Sequence, residues 1–183
     1  NGSLAMSYFK KSALHGCIDG MWAYGYGLRY GRGSQENLKL GFEWMLKAAK
    51  RGHIVSQYCV AVCYSFGEGV RKNSARAFQY YLSAAKSGMT EAEYNLALFY
   101  ESGRGVKKDL HRAIDWYKKA ASRGDPDAQL NLANCYFYGR GTRINRQKAM
   151  ELYVQSAKHQ NPSAMYNVGL AYLEEIGVPQ NTP

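Results

Sequence analysis

The sequence predicts an all-α solenoid of 36-residue helix-turn-helix repeats, on three observations. Glycine recurs in three columns at that period: Gly16, Gly52, Gly88, Gly124; Gly31, Gly67, Gly103, Gly139; and Gly33, Gly69, Gly105, Gly141. Alanine recurs as Ala13, Ala49, Ala85, Ala121 and Ala157, each preceded by a small residue. As the third observation, Asn1, Asn37, Asn73, Asp109, Asn145 and Asn181 form a column that offers a helix-capping side chain every period.

Within one period the stretch from about Glu91 to Ser102 places Ala92, Leu96, Ala97 and Tyr100 on one face of a first helix, helix A. The Gly103-Arg104-Gly105 turn stops it, because glycine takes the left-handed conformation of a helix end without a steric penalty. Helix B starts at the Asp109 cap, carries Ala113, Ile114, Tyr117, Ala120 and Ala121 on one face, and ends in a basic cluster before Gly124. The same pair recurs along the chain and predicts ten helices, no strands, and Gly31, Gly67, Gly103 and Gly139 at helix ends. The expected organisation is a single solenoid over 1–183, with a partial repeat 1–16, repeats 17–52, 53–88, 89–124 and 125–160, and a partial repeat 161–183. Because that phasing opens on one helix B cap and closes on another, a slice of a longer array is expected.

The 183 residues carry 24 Lys and Arg against 14 Asp and Glu and are 46% apolar, a foldable and basic chain rather than a disordered one. Four irregularly spaced cysteines do not make a disulfide framework, so a reducing compartment, the cytoplasm, is the default, with the endoplasmic-reticulum lumen or secretion following only from a trimmed leader. No apolar run reaches the length of a membrane span.

The residues from Ala92 to Tyr100, the Gly103-Arg104-Gly105-Val106-Lys107-Lys108-Asp109 turn, and Ala113 to Ala121 with Gly124 resemble the Sel-1-like repeat, a relative of the tetratricopeptide repeat, and the resemblance runs over the whole chain. Its departures are Gly41 where later repeats have alanine, Gln160 for glycine, and Glu175 for a turn glycine. The resemblance implies a right-handed superhelix of helix pairs whose A helices line a concave surface, acting as a scaffold or adaptor for protein complexes. Family members include adaptors of ubiquitin ligases, regulators of chitin synthesis and secreted bacterial proteins, so the fold alone names no partner.

On that analogy the groove is lined by Trp22, Tyr26, Tyr58, Val62, Phe66, Tyr94, Leu98, Tyr138 and Tyr166, suited to a peptide or helix segment of another protein. Asn95, Asn131, Asn134 and Asn167 add amides that can donate to and accept from a peptide backbone. A carboxylate clamp needs a cation nearby, and on the A helices only Arg29 qualifies. The turns carry Arg32, Arg71, Lys72, Arg104, Lys107, Lys108, Arg140 and Arg143, a basic edge able to meet acidic protein, anionic lipid or nucleic acid. Neither a catalytic nor a metal site is read: Cys59 and Cys63 lack further ligands, the four histidines are scattered, and the Gly-x-Gly turns follow helices. No cofactor is implied. The expected function is a non-enzymatic scaffold; the alternatives are a basic helical-repeat nucleic-acid binder, or the regulatory or targeting part of a larger enzyme or ubiquitin-ligase complex.

Overall fold

The structure, a computed structural model, describes residues 1–174. Among them the chain forms ten helices and no strand: α1 (Gly2–Leu14), α2 (Ile18–Arg29), α3 (Leu38–Lys50), α4 (Ile54–Phe66), α5 (Ser74–Lys86), α6 (Thr90–Ser102), α7 (Leu110–Ser122), α8 (Pro126–Tyr138), α9 (Arg146–Lys158) and α10 (Pro162–Leu173). The odd helices are the B helices and the even ones the A helices. Two compact units divide the chain, Asn1–Ala92 with Arg104–Val106, and Glu93–Gly103 with the chain from Lys107 onward.

The B helices start where the cap column places them. Asn37, Asn73, Asp109 and Asn145 each accept a hydrogen bond from the backbone N–H three residues on, satisfying one orphan donor of the first turn. Asn1 departs from the column: it precedes α1 but caps no backbone N–H, its Oδ1 accepting instead from the Ser3 hydroxyl at 3.2 Å. Asn181 and Glu175 lie outside the described residues. The A helices have caps of their own that the repeat pattern conceals, since His53, Asp125 and Asn161 each accept from the N–H three residues on while Cys17 in the same column does not.

Gly67 and Gly139 close α4 and α8 in the left-handed conformation, φ +84° and +69°. Gly31 falls one residue beyond the end cap of α2, Tyr30. Gln160, where the other repeats have glycine, keeps the same backbone with φ +60°. A side chain in that conformation carries a steric penalty, so Gln160→Gly is expected to stabilise the fold by about 1 kcal/mol in chemical denaturation. Gly41 has a partner for its departure. A Cβ on Gly41 would sit 2.8 Å from the Gly25 carbonyl oxygen and one on Gly25 2.8 Å from that of Gly41, so α2 and α3 meet backbone to backbone where the other repeats hold two alanines apart.

The core of each unit is built from the recurrent columns. In the first, Met45, Ala48, Val60, Ala61, Ala77 and Ala84 are wholly buried, and in the second Leu96, Ala97, Tyr117, Ala120, Ala128, Ala133 and Ala149 are. Small residues at the helix contacts let the helices close up, and large ones fill the space between them.

Candidate functional site

Side chains on the A helices divide between this core and the surface. Trp22 and Tyr26 are half-buried on α2, their rings 5.7 Å apart, and Trp22 also packs on the core cluster of Met6, Met21, Tyr24 and Leu28. Tyr26 continues to Tyr30 at 4.6 Å, and His53 lies 5.7 Å from Trp22, so an aromatic strip runs along this helix. On α4, Tyr58 and Val62 are half-buried, Tyr58 packing edge-on against Tyr81, while Phe66 is 70% exposed.

In the second unit Tyr94, Asn95, Leu98, Asn131, Asn134 and Asn167 are half-buried, whereas Tyr138 and Tyr166 are exposed. Amides of this set are already engaged inside the unit. Asn131 Nδ2 donates to the Tyr94 hydroxyl at 3.4 Å, and Asn134 Oδ1 accepts from the Tyr153 hydroxyl at 2.6 Å. A hollow of about 230 Å³ lies between Phe137, Tyr138, Tyr153, Asn167, Leu170 and Glu174.

The B-helix tyrosines beneath these faces are buried, and burial pushes Tyr81 and Tyr153 up to about 12. Tyr117 is raised further by burial and by donating to Glu101 Oε2 at 2.6 Å. Glu101 meets Arg140 at 3.4 Å on its other oxygen. These hydroxyls therefore stay protonated at neutral pH, and those of Tyr117 and Tyr153 act as fixed donors.

Arg29, the only A-helix cation suited to a carboxylate clamp, is committed elsewhere. It is 6% exposed, and its Nε and Nη2 both donate to Glu68 Oε2, the former at 3.0 Å. The same two columns pair again two repeats on with the charges exchanged, Glu101 with Arg140, 39 positions apart in both cases. All eight cations of the turn column are exposed. Arg140 is shared with Glu101, and Arg32 lies over the Tyr26 ring at 5.3 Å, which couples the basic turns to the aromatic faces. Cys59, Cys63 and Cys135 are free and buried, and burial holds Cys63 and Cys135 at about 11, which leaves them as unreactive thiols. Among the described residues no three His, Cys, Asp or Glu side chains gather to hold a metal ion, and no helix is long and apolar enough to cross a membrane.

Two residues lie outside the sequence expectations, Tyr30 and Glu93. Tyr30 joins Phe66 and Tyr138 in one column at the end of the A helices, exposed at 50%, 70% and 65%. Glu93 is 2% exposed and faces Arg123 at 3.2 Å, in the column where Gln57 and Gln129 donate to the carbonyls of Ala49 and Ala121. Burial raises the Glu93 carboxyl above its usual value, against the pull of Arg123 and Lys119. Folded Glu93 thus keeps its proton to higher pH than the unfolded chain, so its contribution is full below the ordinary carboxylate value and lost as pH rises through the raised one. Glu93→Gln is expected to remove that loss. Denaturation midpoints of the two proteins should diverge from pH 4.5 upward in favour of the variant, and a difference independent of pH would contradict this reading.

A family model of the Sel1 repeat matches residues 1–17, 18–53, 54–89, 90–125, 126–161 and 162–183. Among solved structures, a protective antigen of uropathogenic Escherichia coli displaying an SLR fold is 29% identical with a TM-score of 0.93, over 96% of this chain and 38% of that one. The chain thus spans well under half the length of that relative. A Sel1 repeat protein from Oxalobacter formigenes is 26% identical with a TM-score of 0.90, over 97% of this chain and 73% of the other. Helicobacter pylori cysteine rich protein B is 26% identical with a TM-score of 0.55, over 70% and 92%. None of the curated proteins compared with the chain matches it.

Proposed function

The chain belongs to the Sel1 repeat family, whose members are generally protein-interaction scaffolds and typically non-catalytic, and from that premise we propose that it is a non-enzymatic adaptor gripping a segment of a partner protein on its A-helix faces. The observation that carries this is the exposed aromatic column of Tyr30, Phe66 and Tyr138 beside the half-buried Tyr26, Val62 and Asn134. Aromatic side chains lose little conformational entropy on binding and supply most of the energy of protein contacts, so large exposed rings at a fixed period offer anchor points for apolar side chains of a partner. The half-buried amide of Asn167, which lines one hollow with Tyr138, suits the polar backbone of the bound segment. The basic turns adjust orientation and encounter rate.

The rival reading, a nucleic-acid binder, draws on the exposed cations of the turns. Salt separates the two. Peptides selected from a random display library on the immobilised chain should carry apolar anchors and lose less than about threefold in affinity between low and high salt, because buried apolar contacts are unscreened. A phosphate-bearing ligand would lose orders of magnitude over the same range. Failure to select any peptide, together with tight and steeply salt-dependent binding of single-stranded oligonucleotides, would overturn the adaptor reading in favour of the basic edge.

A further inference from the structure

Charge divides the helices by kind. Among the A helices, α4 and α10 carry no charged residue, α8 carries Asp127, α6 carries Glu91, Glu93 and Glu101, and α2 carries Asp19 and the buried Arg29. The B helices are the reverse. In the first unit α3 holds Lys39, Lys47 and Lys50 against Glu43, and α5 holds Arg76 and Lys86 against no acid. All of these cations are exposed, while Ala48 and Ala84 on the same helices are buried in the core. In the second unit α7 and α9 are also basic, but Arg112 is shared with Asp109 at 3.3 Å and Lys118 with Asp115 at 3.9 Å. The face of α3 and α5 is therefore the less offset of the two.

Three features of this face select a lipid surface from among polyanions. Its one arginine, Arg76, is committed to Tyr64, donating to the hydroxyl at 3.1 Å and lying 5.6 Å from the ring, so the remaining cations are lysines. An ammonium is a point charge suited to a diffuse anionic potential, whereas forked recognition of phosphate is the work of arginine. The rings of the face are covered. Lys47 lies over half-buried Trp44 at 4.0 Å, and half-buried Tyr80 stacks on Tyr64 at 6.0 Å, an arrangement that suits membrane headgroups better than the stacking of a nucleic-acid base. Finally, the turn that leads into α5 rests on Leu38 at the start of α3, so the two helices lie side by side. A duplex groove about 12 Å wide admits one helix of about 10–12 Å and not such a pair, whereas a lipid surface can meet both.

We propose that the exposed face of α3 and α5 docks the chain on an anionic lipid surface, its lysines at the headgroups and no helix inserted. The contact is peripheral, does not depend on the adaptor reading, and leaves the A-helix faces to a protein partner.

Co-sedimentation of the chain with vesicles of phosphatidylcholine alone, and of phosphatidylcholine with about one-third phosphatidylserine, tests this. Wild type is expected to bind the anionic vesicles at low salt, to leave them as salt rises to about 0.5 M, and to ignore the neutral ones. Each lysine near an anionic surface contributes about fivefold, so the Lys39→Gln, Lys47→Gln, Lys50→Gln triple variant, checked for wild-type helicity by circular dichroism, should bind at least about 30-fold more weakly. Lys86→Gln on α5 alone should weaken binding about fivefold. Leu98→Glu should bind vesicles as wild type does, which separates this face from that of the A helices. Wild type that fails to bind anionic vesicles at low salt overturns the proposal. So does undiminished binding by the triple variant with loss in the Lys107→Glu, Lys108→Glu variant, which would move the contact to the turns. A random-sequence DNA duplex that binds wild type more tightly than the vesicles do, and is lost by the triple variant, would overturn it in favour of nucleic acid.

Discussion

Gly69→Ala is expected to destabilise the fold by about 3 kcal/mol, whereas Gly52→Ala costs about 1 kcal/mol, although both glycines have positive φ. At Gly52 an added Cβ meets nothing within 4 Å, so the cost is the left-handed backbone alone. At Gly69 the same atom would lie 2.1 Å from the carbonyl oxygen of Leu38 and 2.5 Å from its carbon, which are backbone atoms at the start of α3 and cannot step aside. The two terms then add: left-handed strain, and the overpacking that forces the turn off the helix. The contact recurs, as a Cβ on Gly105 would sit 2.2 Å from the Ser74 oxygen and one on Gly33 2.2 Å from that of Gly2. The second glycine of each turn is thus where one repeat rests on the B helix before it, and the first is a helix stop. Urea denaturation of the two variants measures the difference, and equal losses would show that the close approach carries no energy.

That distinction marks the limit of what periodicity conveys. The period placed the helices, the B-helix caps and the turns because each depends on a residue type repeated in phase, and the buried alanine columns follow from the same repeat. The A-helix caps escaped because His53, Asp125 and Asn161 do the same work with different chemistry. Glu93 with Arg123 has no counterpart in the other repeats, and Arg29 with Glu68 returns two repeats on only with the charges exchanged, as Glu101 with Arg140, so no column of one residue type announces either pair. For the A-helix faces, a stripe of Tyr, Trp and Leu identifies a helix side but leaves open how much of each ring the neighbouring helix covers. Trp22 leans on the core while Phe66 stands clear, a difference set by what packs beside them. Tyr30 has no uniform column to mark it, since that column runs Tyr, Phe, Ser, Tyr and Glu through Glu174.

Binding on the A-helix faces is the central claim, and Leu98 is the position that tests it most directly, being half-buried in the middle of α6. The measurement is the affinity and association rate of a library-selected peptide for Leu98→Glu and for the Lys107→Glu, Lys108→Glu double variant, each first shown to retain wild-type helicity. A carboxylate placed in an apolar contact must be desolvated without a partner, so Leu98→Glu is expected to weaken the peptide by about 30-fold or more, mainly through faster dissociation. The double variant changes exposed turn charges and is expected to lower the association rate with less than about a threefold change in affinity. Normal binding by folded Leu98→Glu, with affinity lost in the Lys107 and Lys108 variant, would contradict the account and make the basic turns the binding surface.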